Sequence, residues 1–259
     1  MPDLIVERAD GVVRATLNRP ERKNALSLEL FDALGALFEE VEASDADRAL
    51  VIQGLPGAFS SGADLGDRGG DDAPAPGSRE ALARIHATAL KLHRLTKPSV
   101  AAVDGLAAGA GFSLAIGCDI VLASTRARFS AIFVRRGLSI DFGGSWLLPR
   151  IVGLAKAKEL TLLGDFVDAQ EALRIGLVSR VVNPDELPHA VEFAVQRLAT
   201  GPTVAIRQDV SLLQESLARS FEEAIAAEAD AQHANLQTED AREAIAAFLE
   251  KRDAHFQGR

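Results

Sequence analysis

The chain has 259 residues, of which 47% are hydrophobic and 25% charged, an ordinary balance for a soluble globular protein with one substantial core. A net charge of −9 with a pI near 5.1 argues against general affinity for nucleic acid, so an anionic ligand would need local cations working against the overall field. The single Cys118 excludes an internal disulfide, and five scattered histidines give no zinc or haem spacing. No apolar run approaches the ~20 residues that span a bilayer. Met1-Pro2-Asp3-Leu4 lacks a basic stretch followed by an apolar one, so the cytoplasm is the expected compartment.

In chain order, Leu4 to Leu17 alternates apolar and polar residues around Asp10-Gly11, a strong hairpin signal. A charged loop, Asn18-Arg19-Pro20-Glu21-Arg22-Lys23-Asn24-Ala25-Leu26, breaks that periodicity. Ser27 is the N-cap expected for a helix through Val41, with Leu30, Leu34, Leu37, Phe38 and Val41 on one face. Ala49 to Ile52 reads as a buried strand and leads to the small-residue loop Gly57-Ala58-Phe59-Ser60-Ser61-Gly62-Ala63-Asp64-Leu65. Gly66 to Ser78, rich in Gly, Pro and Asp, reads as a surface insertion or a flap over a site.

Ala81 to Leu95 is predicted helical, with Ile85, Leu92 and Leu95 inward, ending before Lys97-Pro98. Val100 to Val103 is a strand feeding a second small-residue loop, Asp104 to Gly111, and a helix to about Gly117. Asp119 to Ala123 is another strand. Two helices follow Gly143-Gly144, Leu177 to Val182 is a final strand, and the pattern from Pro184 onward is helical to the end, interrupted at Gly201-Pro202. This order predicts an α/β or α+β core over residues 1–195 and a helical assembly region over 196–259.

The Gly105–Gly111 loop does not fit a dinucleotide fingerprint, because its glycines run G-x-x-x-G-x-G without the acidic residue about 20 positions on. The Gly-Lys-Ser/Thr ending of a P-loop and the G-x-S-x-G of a hydrolase elbow are missing too. Two loops remain, near 61–65 and 108–111, each offering backbone N–H groups. Either alone reads as a tight turn; the pair points to a binding site for a negative oxygen.

Several motifs share an order and spacing with one family: Asn18-Arg19-Pro20, Lys23-Asn24-Ala25-Leu26, Phe59 to Leu65, Lys97-Pro98, Ala102-Val103-Asp104-Gly105, Gly109-Ala110-Gly111, Cys118-Asp119-Ile120 and Gly143-Gly144. Leu163-Gly164, Ala169-Gln170-Glu171-Ala172, Gly176-Leu177-Val178 and Phe248-Leu249-Glu250-Lys251-Arg252 extend the match. The chain thereby resembles the crotonase (enoyl-CoA hydratase/isomerase) superfamily over nearly its whole length. The resemblance implies a spiral of ββα units, trimers often paired into hexamers, and acyl-CoA thioester substrates. CoA is then part of the substrate, and no separate cofactor, metal, nucleic-acid or membrane partner is expected.

The resemblance also implies an oxyanion hole from the N–H groups of Ala63 and Ala110, with Gly109 beside them. It places CoA near Arg22, Lys23, Ala25 and Leu26, and has Ser61, Asp64 and Leu65 line the thioester pocket. Phe248 and Lys251 match positions that reach CoA from a neighbouring subunit or from the chain's own tail.

Hydratases of that family hold a water between two glutamates. One slot is Ser113 here and the other is Phe133, four residues before Gly137. Neither side chain can act as a carboxylate base. Asp141, ahead of Gly143-Gly144, stands where the family's isomerases and its 4-chlorobenzoyl-CoA dehalogenases carry an aspartate. One base suffices for double-bond isomerisation; the same residue is also what a turn before Gly-Gly favours. The leading expectation is an enoyl-CoA isomerase using Asp141, with an enoyl-CoA hydratase and a non-catalytic CoA-ester-binding homologue as alternatives. Trp146 and Phe142 are expected as core or acyl-pocket walls and Cys118 as a small buried residue. His86, His93, His189, His233 and His255, which have no partner signature, are expected at the surface.

Overall fold

The structure, a computed structural model, describes residues 1–55, 57–66, 74–75 and 77–259. Most of the predicted flap or insertion between Gly66 and Ser78 lies outside the described residues.

The strands are β1 (Leu4–Ala9), β2 (Val12–Leu17), β3 (Ala49–Gly54), β4 (Ala58–Ser60), β5 (Ser99–Val103), β6 (Leu106–Ala108), β7 (Ile120–Ser124), β8 (Arg128–Ser130), β9 (Val167–Asp168) and β10 (Arg180–Val182). They form a six-stranded sheet ordered β1-β2-β3-β5-β7-β10 and a four-stranded sheet ordered β4-β6-β8-β9. Asp10 and Gly11 turn the β1–β2 hairpin with φ of 50° and 78°, the double positive φ of a type I′ turn. From β2 onward the large sheet is parallel, with Val13 opposite Leu50 and Ile52 opposite Ala101. In three successive units the first strand (β3, β5, β7) joins the large sheet and the second (β4, β6, β8) joins the small one. This alternation is the ββα spiral.

Helices α1 (Leu28–Ala43) and α3 (Ala110–Ile116) pack on one face of the large sheet, and α2 (Arg79–His93) packs against α1 in the same core. Ser27 caps α1 by accepting the Leu30 N–H at 3.2 Å, and Leu30, Leu34, Leu37, Phe38 and Val41 are all buried, as their spacing predicts. The two-residue period of buried parallel strands then divides the core. Leu50, Ile52, Ala101 and Val103 face α1 and α3. Val51, Val100, Ala102 and Leu122 face the opposite way, against Leu187, Val191 and Val195.

After α4 (Gly144–Val152), α5 (Leu154–Leu163) and α6 (Ala169–Arg174), the helix supplying those last three residues is α7 (Leu187–Ala199). It is followed by α8 (Thr203–Glu215), α9 (Phe221–Leu236) and α10 (Glu239–Glu250). No helix among the described residues is long and apolar enough to cross a membrane.

Some boundaries differ from the sequence reading. The final strand is Arg180–Val182 only; Leu177 and Val178 are buried by packing in the turn after α6. The carboxy-terminal helix stops at Glu250 because Lys251 takes φ of 56°. The tail then folds back, and the buried Asp240 carboxylate accepts the N–H groups of Gln257 and Gly258 at 2.6 and 2.8 Å. The 196–259 stretch also breaks between α8 and α9 and between α9 and α10, which helical periodicity alone did not separate.

Candidate active site

β4 and β6 are parallel neighbours in the small sheet, and their carboxy-terminal ends deliver the two small-residue loops to one place. Open α/β folds bind ligands at such strand ends. Ala63 lies three residues beyond β4, and Ala110 opens α3 two residues beyond β6. Glycine makes the approach possible. Gly62 has φ of 100°, and a Cβ there would lie 2.8 Å from the Ala108 carbonyl and 3.3 Å from the Ala110 nitrogen. A Cβ on Gly111 would meet the Ser60 side chain at 2.5 Å, so α3 can rest on β4 only with glycine at that position.

The charged loop at 18–26 is stitched onto the first of these loops. Ser61 N–H donates to Lys23 O at 3.0 Å, Leu26 N–H to Gly62 O at 2.8 Å, and Asp64 N–H to Leu26 O at 2.9 Å. These bonds flank Ala63 without using its N–H. Asn24, buried and with φ of 53°, accepts the Arg19 N–H at 3.0 Å and donates to Ala58 O at 2.7 Å. Arg22, Lys23, Ala25 and Leu26 are therefore held beside Ser61, Asp64 and Leu65. Asp64 is not a free carboxylate: Arg19 pairs with it at 2.9 Å, and both side chains are largely buried. The sequence reading used Arg19 only as a motif residue and missed this pairing.

Ala63 and Ala110 open onto a cavity of about 510 Å³ whose wall includes Leu26, Phe31, Asp64, Ile85, Phe133, Ile140 and Asp141. That size suits a small organic ligand. Asp141 projects from the loop before α4 with its side chain 30% exposed. Its Oδ1 accepts the Phe142 N–H at 2.7 Å. It also accepts from Nε2 of His86, on α2, at 2.6 Å. An ionised carboxylate can only accept, so this contact places the imidazole hydrogen on Nε2.

His86 is exposed, as expected, and the contact with Asp141 is one that no sequence signature announced. α2 turns the side of the helix carrying Ala81, Leu82, Ile85 and His86 toward the cavity. His189, His233 and His255 are exposed, as expected. His93 lies edge-on to Trp146, with ring centroids 5.0 Å apart.

Phe142 holds φ of 53°, a strained conformation for a bulky residue. Its ring is buried 5.6 Å from that of Phe31, and this packing pins the residue that follows Asp141. A second cavity, also of about 510 Å³, shares His86, Ile140 and Asp141 with the first and continues along Leu90, Leu92, Phe142, Trp146 and Leu147. Phe142 is therefore core and Trp146 a cavity wall.

At the two glutamate slots the structure offers no proton-transfer group. Ser113 is fully buried, and its Oγ has no hydrogen-bond partner among the described residues. A Cβ on Gly144 would come within 2.8 Å of that Oγ and 2.9 Å of the Ile140 side chain, so the neighbourhood is filled. Phe133 lines the cavity as a hydrocarbon wall. Cys118 is buried and its thiol is pushed up by desolvation, which makes it inert. Phe248 and Lys251 do not line the cavity of their own chain; Phe248 is 81% exposed at the end of α10. Among the described residues no cluster of His, Cys, Asp and Glu could hold a metal.

Residues 7–259 match the family described as Enoyl-CoA hydratase/isomerase. The chain belongs to the enoyl-CoA hydratase/isomerase family. It is 37% identical to the 1,2-epoxyphenylacetyl-CoA isomerase of Escherichia coli K12, over 96% of each chain. It is 34% identical to the crotonyl-CoA hydratase of Syntrophomonas wolfei, over 98% of this chain and 97% of that protein. The crystal structure of the enoyl-CoA hydratase of Mycobacterium smegmatis superposes with a TM-score of 0.90 at 34% identity, over 99% of both chains. Membership makes the protein an enzyme of the isomerase/lyase class. These relatives are named for different reactions, an epoxide isomerisation in one and a hydration in the other, so the choice of reaction rests on the side chains in the cavity.

Proposed function

We propose that the protein isomerises the double bond of an enoyl-CoA thioester, with Asp141 as the one base. The observation that carries this reading is that Asp141 lines the same cavity as Ala63 and Ala110 while both glutamate slots are inert. In the reaction, the Asp141 carboxylate takes a proton from C2 of a 3-enoyl thioester. The electron pair spreads into a dienolate whose charge collects on the thioester oxygen, where the N–H groups of Ala63 and Ala110 stabilise it. The same carboxyl then returns the proton to C4, leaving a conjugated 2-enoyl thioester. Proton, charge and carboxylate are all restored, so no second base is required.

Electrostatics supports this division of labour. Asp64 also borders the cavity, but Arg19 neutralises it, which leaves Asp141 as the lining carboxylate without a guanidinium partner among the described residues. Arg22 and Lys23, on the loop stitched beside Ser61, would donate to the CoA phosphates. The acyl group beyond the reacting carbons would enter the second, apolar cavity past Asp141. Hydration of a 2-enoyl-CoA is the second reading, favoured only by His86 as a proton-handling group beside Asp141.

Supplying 3-enoyl-CoA and, separately, 2-enoyl-CoA tests the reading. Isomerisation predicts conjugation of the first, seen as the rise of enoyl-thioester absorbance, and little loss of the second. Rapid hydration of the second without conjugation of the first would replace isomerase by hydratase. Tight binding of both without turnover would leave a CoA-ester-binding protein.

The carboxy-terminal helices also support assembly into a trimer or a dimer of trimers. Leu213, Leu217, Phe221, Ile225, Leu236, Phe248 and Leu249 are all exposed on α8–α10 or the short link between α8 and α9, apolar side chains that contact between subunits would remove from water. In such an assembly Phe248 and Lys251 would meet CoA bound to a neighbour. Light scattering should give three or six chains per particle; a monomer at micromolar concentration would remove both the assembly and that role.

A further inference from the structure

Asp141 receives both of its hydrogen bonds on one oxygen. Oδ1 accepts from His86 Nε2 at 2.6 Å and from the Phe142 N–H at 2.7 Å, and among the described residues Oδ2 accepts none. We propose that His86 is a positioning residue: with the Phe142 N–H it fixes Asp141 through Oδ1 and leaves Oδ2 as the atom that removes and returns the proton. This inference rests on the isomerase reading and goes beyond it by naming the proton-carrying atom and what holds it.

The two hydrogen bonds do different work. Phe142 is the next residue in the chain, so its N–H sets the carboxylate's rotation within its own loop but does not anchor that loop. His86 is 55 residues away, on α2, and ties the loop to a separate rigid element. A base that serves two carbons must keep its oxygen within about 0.5 Å of the working position, which a short side chain on an unanchored loop does not do by itself. During turnover the proton goes from C2 to Oδ2 and from Oδ2 to C4. The imidazole keeps its Nε2 hydrogen throughout and donates it to Oδ1.

His86 is also a surface-accessible side chain, 50% exposed, and not part of the core. α2 is docked by other residues: Ala81, Thr88 and Leu92 are buried, and Thr88 Oγ1 donates to Phe31 O at 2.9 Å. Replacing His86 therefore leaves the fold intact.

The test compares His86→Leu with His86→Gln in steady-state isomerisation of 3-enoyl-CoA. Glutamine places an amide N–H near the Nε2 position; leucine fills the space and donates nothing. The leucine variant should lose about 10- to 100-fold in kcat with KM changed less than about threefold, and glutamine should recover most of the loss. Wild-type kcat in the leucine variant would overturn the proposal. So would a rise in KM alone, or equal losses in both variants. Asp141→Asn assayed in parallel separates the two levels. If it stays active, Asp141 is not the base and the reading on which this proposal rests fails; if it is inactive while His86→Leu is fully active, only the role of His86 fails.

Discussion

Ala63→Pro should reduce kcat for the thioester by about 10²- to 10³-fold, the usual cost of removing one oxyanion donor. Proline has no N–H, so the change deletes that donor while adding little bulk. The local fold should tolerate it. The hydrogen bonds that hold this loop run from Leu26 N–H to Gly62 O and from Asp64 N–H to Leu26 O, on either side of Ala63. The opposing donor, Ala110, belongs to the loop carried by the neighbouring strand and keeps its place. Circular dichroism and thermal unfolding close to the parent would show that the fold survives. Parent-like turnover in that folded variant would remove Ala63 from the site. A rise in KM with kcat unchanged would make its N–H a ground-state contact instead of one that strengthens as charge develops.

The same two-donor arrangement serves hydration and isomerisation alike, so it cannot choose between them. That choice falls to what surrounds the acyl carbons. Ser113 is sealed beneath Gly144 and Ile140, and Phe133 contributes only a hydrocarbon wall. A water held between two carboxylates therefore has no counterpart at these positions. Asp141 enters instead from the loop before α4, bonded through one oxygen to α2. In the proposed mechanism the donors come from backbone fixed by two parallel strands and the base is a side chain on a loop, a division that lets one fold carry different chemistries.

Much of this was legible in the sequence because local rules and tertiary structure agree there. Asp10-Gly11 sets the hairpin, Ser27 and the Leu30 to Val41 stripe set α1, and the two small-residue loops meet at one cavity. Asp141 was singled out by the family resemblance, which puts an aspartate ahead of Gly143-Gly144 in the isomerases, and the structure places it on the cavity wall. His86 was not legible, since its pairing arises only when α2 packs across the cavity mouth. The one signal was phase: His86 follows Ile85 on the stripe that Ala81, Leu82 and Ile85 turn toward the cavity. The Arg19–Asp64 pair was hidden in the same way, by a loop that crosses another. The helical pattern expected to the end of the chain stops at Glu250, where Lys251 takes φ of 56°, and the tail returns to give its N–H groups to Asp240, a long-range contact that periodicity does not encode.

Asp141→Asn carries the other large expected effect. Asparagine keeps the size of the side chain, and its carbonyl oxygen can still accept from His86 and Phe142, so the cavity should keep its shape. What it loses is basicity, and removal of a positioned general base costs about 10²- to 10⁴-fold. The most direct measurement is the initial rate of 3-enoyl-CoA conjugation by parent and Asp141→Asn at saturating substrate, with the affinity for a saturated acyl-CoA measured alongside. Single-base isomerisation predicts that the rate falls by about 10²-fold or more while the affinity stays within a few-fold. A variant that conjugates 3-enoyl-CoA at close to the parent rate would contradict it.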